Sequence, residues 1–242
     1  MPLYESPLLH SPDATIPMTP DRSVHWNVHE LPGLSSTLYV RPPDDTSEKP
    51  TAQDIETMLA FAQQGGQYNP NAKLLGEGNY GTVHELGGLV LKRARFGNDL
   101  DEHVGLGATQ AQVTFSEGLG RLTTPHKITA PKPYAVLRVK PDTQTSARTT
   151  MLMSHVPGAK PSRVNIGLPN AKKRQALYDT ATQLAGAEPG DINYDDSSDN
   201  LLVVKRFGVV QSAGKLDVAA TSAFVKKMGR IPTRTYQEID WS

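Results

Sequence analysis

Cysteine is absent from all 242 residues. That excludes disulfides, metal–thiolate centres and cysteine nucleophiles, so the fold must hold without covalent staples. A charge of one sign is missing too: 25 Lys and Arg balance 25 Asp and Glu. Taken as a whole, the chain offers no electrostatic case for nucleic acid or an anionic membrane. No apolar run approaches the roughly 18 residues that a spanning helix needs, so no membrane span is expected. The opening residues, Met1-Pro2-Leu3-Tyr4-Glu5, lack the basic and apolar regions of a cleaved secretory signal. The length suits one domain of ordinary size with an appendage.

The appendage is the first stretch. Residues 1–50 carry 9 of the 19 prolines, many Ser and Thr, and little apolar periodicity. Such a segment buries too little surface to offset its chain entropy, and it reads as a largely disordered leader. A proline-rich linker and an uncleaved translocation signal for a specialised bacterial secretion system are both open for it. In the second case a secretion chaperone would bind within residues 1–50. Thr51-Ala52-Gln53-Asp54 then looks like the capped start of a short helix, Ile55 to Gln64, closed by Gly65-Gly66.

Gly76-Glu77-Gly78-Asn79-Tyr80-Gly81-Thr82-Val83 supplies the G-x-G-x-x-G spacing that lets a backbone turn lie close over phosphate oxygens. Dinucleotide-binding folds share those letters, but there the third glycine opens a helix. Here Gly81 runs into Thr82 to Leu86, then Gly87-Gly88, then Leu89-Val90-Leu91-Lys92. Two aliphatic runs around a two-residue glycine turn predict a hairpin. A Walker A loop is excluded because no Gly-Lys-Ser/Thr follows. A glycine loop on a hairpin whose second strand ends in lysine resembles the nucleotide-binding roof of a protein kinase.

The chain beyond Lys92 continues in that order. Ser116-Glu117-Gly118-Leu119-Gly120-Arg121-Leu122 has the pattern of the helix that bears the lysine's carboxylate partner, with Glu102 as the fallback. Its two glycines weaken it by about 1 kcal/mol each. Pro133 to Val139 reads as a strand, and Met151-Leu152-Met153 as another that stops at Pro157-Gly158. Pro169 to Gly186 has helical spacing and ends in Gly186, Pro189 and Gly190. The acidic run Asp191 to Asn200 invites a calcium-loop reading through Asp191, Asn193 and Asp195. That reading fails at the sixth position, where Asp196 replaces glycine, and at the twelfth, where Leu202 replaces glutamate. Asp, four residues, Asn and an apolar strand is instead the catalytic-loop spacing, met by Asp195, Asn200 and Leu201-Leu202-Val203. Gly208-Val209-Val210 to Lys215-Leu216 then leads into Asp217-Val218-Ala219.

Across residues 71–217 these pieces resemble protein kinases, and most closely the minimal kinases that bacterial pathogens inject into host cells. Tyr194 to Leu202 is similar to the Tyr-Asp-Leu-Asn-Thr-Gly-Asn loop of the OspG-like effector kinases, and Met153 to Gly158 to their strand ending in Val-Pro-Gly. A related group from plant-associated bacteria phosphorylates a host chaperone.

The resemblance implies an α+β, protein-kinase-like fold over residues 51–242. A β-rich N-lobe would span about 66–153, and a truncated helical C-lobe about 158–242. With 25 residues after Asp217, the activation segment and substrate-binding helices are expected to be missing. It also implies an ATP- and magnesium-dependent Ser/Thr kinase, secreted into the host cell cytoplasm. Its substrate would be a host protein such as a cytosolic chaperone or a ubiquitin-conjugating enzyme. Gly76, Gly78, Gly81 and Val83 would cover the nucleotide, with Val90, Lys92 and Leu202 around it. Met153 would be the gatekeeper and Ser154, His155 and Val156 the adenine-facing hinge. Glu117 would hold Lys92, Asp195 would act as catalytic base, and Asn200 and Asp217 would carry the metal. Departures matter as well: Asn193-Tyr194 replaces the usual His-Arg, and Val218-Ala219 replaces Phe-Gly. A pseudokinase scaffold and a kinase-fold AMP transferase are the alternatives.

Overall fold

The computed structural model describes residues 26–31, 36–41, 51–63, 71–78, 81–94, 106–123, 127–139, 148–161, 167–194, 200–216, 218–224 and 233–236. Its first elements revise the expected leader. β1 (Trp26–Leu31) and β2 (Ser36–Val40) form an antiparallel pair within it, Asn27 opposite Val40 and Leu31 opposite Ser36. The physical reason lies in Ser36-Thr37-Leu38-Tyr39-Val40, which is rich in strand formers and places Leu38 wholly in the core. Composition averaged over fifty residues conceals a strand of five. Helix α1 (Ala52–Gln63) starts three residues before the expected Ile55, directly after Thr51. The Asp54 amide donates to the Thr51 hydroxyl, and the Thr51 amide donates back to the Asp54 carboxylate, so two orphan donors of the first turn are satisfied.

The predicted glycine hairpin is present. β3 (Lys73–Glu77) pairs with β4 (Gly81–Leu86), and β4 with β5 (Leu89–Ala94) across Gly87-Gly88. Those two glycines have φ of 61° and 85°, the left-handed values that a two-residue type I′ turn demands. Helix α2 (Leu106–Arg121) follows, then the short strand β6 (Ile128–Thr129), β7 (Pro133–Val139) and β8 (Arg148–Met153). With β13 (Thr233–Tyr236) at one edge, eight strands form one sheet in the order β13-β1-β2-β7-β8-β5-β4-β3. All its pairings are antiparallel except that of β1 with β13.

Period-two alternation sorts the sheet residues onto two faces. Leu38, Leu91, Ala135, Leu137 and Leu152 pack against Ile55, Met58 and Phe61 of α1. Val90, Val136, Met151 and Met153 pack instead with Val113 of α2. The other side of α2, through Ala111, Phe115 and Leu119, belongs to a second core. So α2 lies between the sheet and the remainder of the molecule.

That remainder is built on α3 (Ala171–Leu184), capped at its start by the Asn170 side chain, which accepts from the Lys173 amide at 3.0 Å. It ends as the sequence predicts, at Gly186 (φ 87°), where the Ala187 amide reaches back to Thr182 and the Gly186 amide to Gln183. β9 (Ile192–Asn193) pairs with β12 (Ala219–Ala220). β10 (Leu201–Arg206) and β11 (Val209–Lys215) form a hairpin, to which β6 adds in parallel. Among the described residues the architecture is α+β and β-rich, with a large mainly antiparallel sheet and few helices.

Candidate functional site

Gly76 lies near the end of β3 and Gly78 directly follows it, its amide donating to the Gly81 carbonyl at 2.9 Å. Asn79 and Tyr80, the loop tip, lie outside the described residues. A Cβ on Gly76 or Gly78 would meet nothing within 4 Å, so this backbone faces open space that a ligand can approach. Gly81 is different: its Cβ would stand 2.4 Å from the Arg93 carbonyl oxygen, and glycine there lets β4 and β5 close.

Lys92 sits opposite Val83 on one side and Met151 on the other, and Val90 sits opposite Met153. Val83, Val90, Met151 and Met153 share one apolar cluster with Val136 and Val113. Lys92 shares the strand face of Val90 and is 9% exposed. A lysine that well covered needs partners for its charge, and Lys92 is not without interactions in the fold.

From Met153 the chain leaves the sheet. The Ser154 amide donates to the Lys132 carbonyl at 2.9 Å, and its hydroxyl accepts from the Lys132 amide at 2.8 Å. His155 is exposed, whereas Val156 is buried against Gly214, whose missing side chain leaves room for it. Gly158 passes so close to β10 that a Cβ there would lie 3.0 Å from the Leu202 Cβ. Ala159 then bridges Val203 through two backbone hydrogen bonds of 2.8 and 3.1 Å. The expected hinge and Leu202 are thus brought together.

Glu117 lies one turn beyond Val113, on the side of α2 that faces the sheet. Its Oε1 accepts from Arg41 Nη2 at 2.5 Å and its Oε2 lies 3.7 Å from Arg121 Nη2. Arg41 follows β2 directly, is buried, and donates its amide to the Tyr134 carbonyl at 2.9 Å. Sequence reasoning missed this arginine because it stood in the supposed leader. It also missed Gln112, whose side chain accepts from the Val218 amide and donates to the Pro131 carbonyl, both at 3.3 Å. Lys215, wholly buried opposite Leu201, is a third residue that no spacing rule singled out. The fallback carboxylate, Glu102, lies outside the described residues.

Asp195 and Asp217 also lie outside them, but their described neighbours are informative. Asn193 stands opposite Ala219, and Ile192 opposite Ala220. Antiparallel pairing means that the chain leaves β9 toward position 195 at the same end where it enters β12 from position 217. The Asn200 carbonyl accepts from the Leu216 amide at 2.9 Å, which closes the mouth of the β10–β11 hairpin beside position 217. Asp191 braces the start of the loop, its carboxylate accepting from the Glu188 amide and its carbonyl from the Thr221 amide and hydroxyl.

Tyr194 anchors the same loop. Its ring packs with Phe115 and Tyr178, centroids 5.6 and 5.3 Å away, and its hydroxyl meets Thr182 and the Tyr178 carbonyl. Burial pushes its ionisation up to about 12; the Thr182 hydrogen bond opposes that, and Asp179 and Asp191 add to it.

Of the two residues expected to carry a metal, Asn200 is described and Asp217 is not; among the described residues no group of three or more His, Cys, Asp or Glu comes together. No protein-family model matches the chain, and no curated protein matches it. The functional reading therefore rests on the residues and their geometry.

Proposed function

We propose that the chain is an ATP- and magnesium-dependent Ser/Thr protein kinase on a protein-kinase-like fold. A bacterium would deliver it into the host cytoplasm to phosphorylate a host protein. A chaperone and a ubiquitin-conjugating enzyme are the substrate classes that the sequence resemblance favours. The observation that carries this reading is the row of Val83, Lys92 and Met151, a buried lysine between a glycine hairpin and the strand that runs into residues 154–158. A phosphate-seeking cation beside an open glycine backbone and an apolar wall is what a nucleoside triphosphate requires.

Bound ATP would supply the phosphoryl group. The backbone at Gly76 and Gly78 would lie over the phosphates, and Lys92 would hold the α- and β-phosphates. Val83, Val90, Met153 and Leu202 would form apolar walls for the base. Asp195 would orient the substrate hydroxyl and accept its proton, while Asn200 and Asp217 would hold magnesium. The β9–β12 pairing and the Asn200–Leu216 hydrogen bond support this, because they bring the chain ends bracketing those positions together.

The deciding assay is transfer of label from γ-labelled ATP to proteins of a host lysate. Lys92→Ala and Asp217→Ala should each reduce transfer by about 100-fold or more while the melting transition is kept. No label with the wild type, or label only from the α-position, would refute the reading. The two arginines on Glu117 favour a second reading, a kinase-fold scaffold that binds a host protein without catalysis. It predicts no transfer and retained binding.

A further inference from the structure

The β10–β11 hairpin turns on Phe207-Gly208. Phe207 has φ of 50° and is the one non-glycine residue with positive φ among the described residues. A bulky aromatic is strained there. The β4–β5 hairpin makes the corresponding turn with glycine at both positions. The phenyl ring gains almost no burial from the fold either, since it is 92% exposed, its ring contact being the Arg206 guanidinium 5.4 Å from its centre. The fold therefore bears both backbone strain and an exposed aromatic at one point.

The surroundings are basic. Leu201–Lys215 contains no Asp or Glu. Lys205 and Arg206 are exposed just before the turn and Val209 just after it. Lys127 joins them, its ammonium donating to the Val210 carbonyl at 3.0 Å. Consecutive strand residues point to opposite faces, so Lys205 and Arg206 flank the tip on both sides. A partner docking on one face would meet one of these cations. A planar anionic layer entered tip-first meets both.

We propose that this tip is a membrane-docking finger for an anionic lipid surface. The Phe207 ring, followed by Val209, enters the acyl boundary, while Lys205 and Arg206 hold lipid phosphates. The balanced charge of the whole chain conceals this local excess. The inference does not depend on the kinase reading and brings whatever activity the chain has to a membrane surface.

The test is co-sedimentation of the full chain with phosphatidylcholine vesicles, with and without phosphatidylserine. The chain should bind the anionic vesicles, weaken on neutral ones and release in high salt. Lys205→Gln and Arg206→Gln should each weaken binding about five-fold. Phe207→Asn suits positive φ better, so it should keep or raise the melting temperature and lose about ten-fold in binding. Phe207→Trp should keep binding and shift its emission to the blue on anionic vesicles. Failure of the wild type to bind them, or unchanged binding by Phe207→Asn, overturns the proposal. In that case the ring belongs to a pocket on a protein partner.

Discussion

Two glycines two residues apart on α2 should respond oppositely to the same substitution. A Cβ on Gly118 would lie 1.9 Å from the Ala181 carbonyl oxygen and 2.5 Å from its carbon. Both are backbone atoms of α3, so no rotamer change relieves the clash, and the helices would have to part by more than an ångström. Parting loosens the contact of Phe115 and Leu119 with Tyr178 and Ala181. Alanine brings up to about 1 kcal/mol of helix propensity. Overpacking against an immovable neighbour costs about 3 kcal/mol, the upper end of its usual range. The net loss for Gly118→Ala is therefore about 2 kcal/mol, a fall of about 4–8 °C in melting temperature for a domain of this size. Gly120 is exposed, with nothing within 4 Å of its Cβ position. Gly120→Ala should gain up to about 1 kcal/mol and melt about 2–4 °C higher. Thermal and urea melts of both variants decide it. A Gly118→Ala protein that melts at or above the wild type would refute the close helix crossing, and with it the placement of Glu117 and Gln112.

Glu117→Ala leaves the buried Arg41 without one of its partners and should cost about 1–3 kcal/mol, the carboxylate being partly exposed. A double-mutant cycle with Arg41→Ala should recover part of that loss, and strict additivity would argue against the pair. His84 lies buried against Phe61, its Nδ1 without a hydrogen bond, and burial and the Arg93 charge both lower its pKa. The unfolded chain therefore takes up a proton near pH 6.5 that the folded state resists. Stability is full above that pH and falls as pH drops below it, by up to about 1.4 kcal/mol per pH unit. His84→Phe should flatten the slope of urea midpoints below pH 6.5, and an unchanged slope would clear this histidine. Tyr194, held up to about 12, stays neutral between pH 10 and 12 while its unfolded counterpart ionises. Stability is thus full below pH 10 and is lost as pH rises through 12, and Tyr194→Phe should remove that loss and one late component of the ultraviolet tyrosine titration.

Much of the local structure was legible in the residues. Gly87-Gly88, Thr51 with Asp54, and Gly186 are signals whose partners lie within five residues, so backbone sterics and short-range hydrogen bonds decide them before any packing occurs. The strand at Pro133–Val139 was legible for a related reason, an apolar run bounded by turn-favouring residues. β1 and β2 were not legible as strands, because the strand formers of 36–40 are hidden in a proline-rich average and because their pairing partners, β7 for β2 and β13 for β1, lie far off in sequence.

The candidate site divides along the same line. Sequence spacing alone marked Gly76, Gly78, Gly81, Lys92, Glu117 and Asn200, because motif chemistry depends on residue type at fixed intervals. Tertiary structure decided what each of them meets. Arg41 reaches Glu117 across 76 positions and Val218 reaches Gln112 across 106, distances over which no local pattern carries information. The crowding that demands glycine at 118 exists only once α2 lies against α3. Local signals determined which elements form; only their packing against one another, driven by apolar burial, decided which charges share a face.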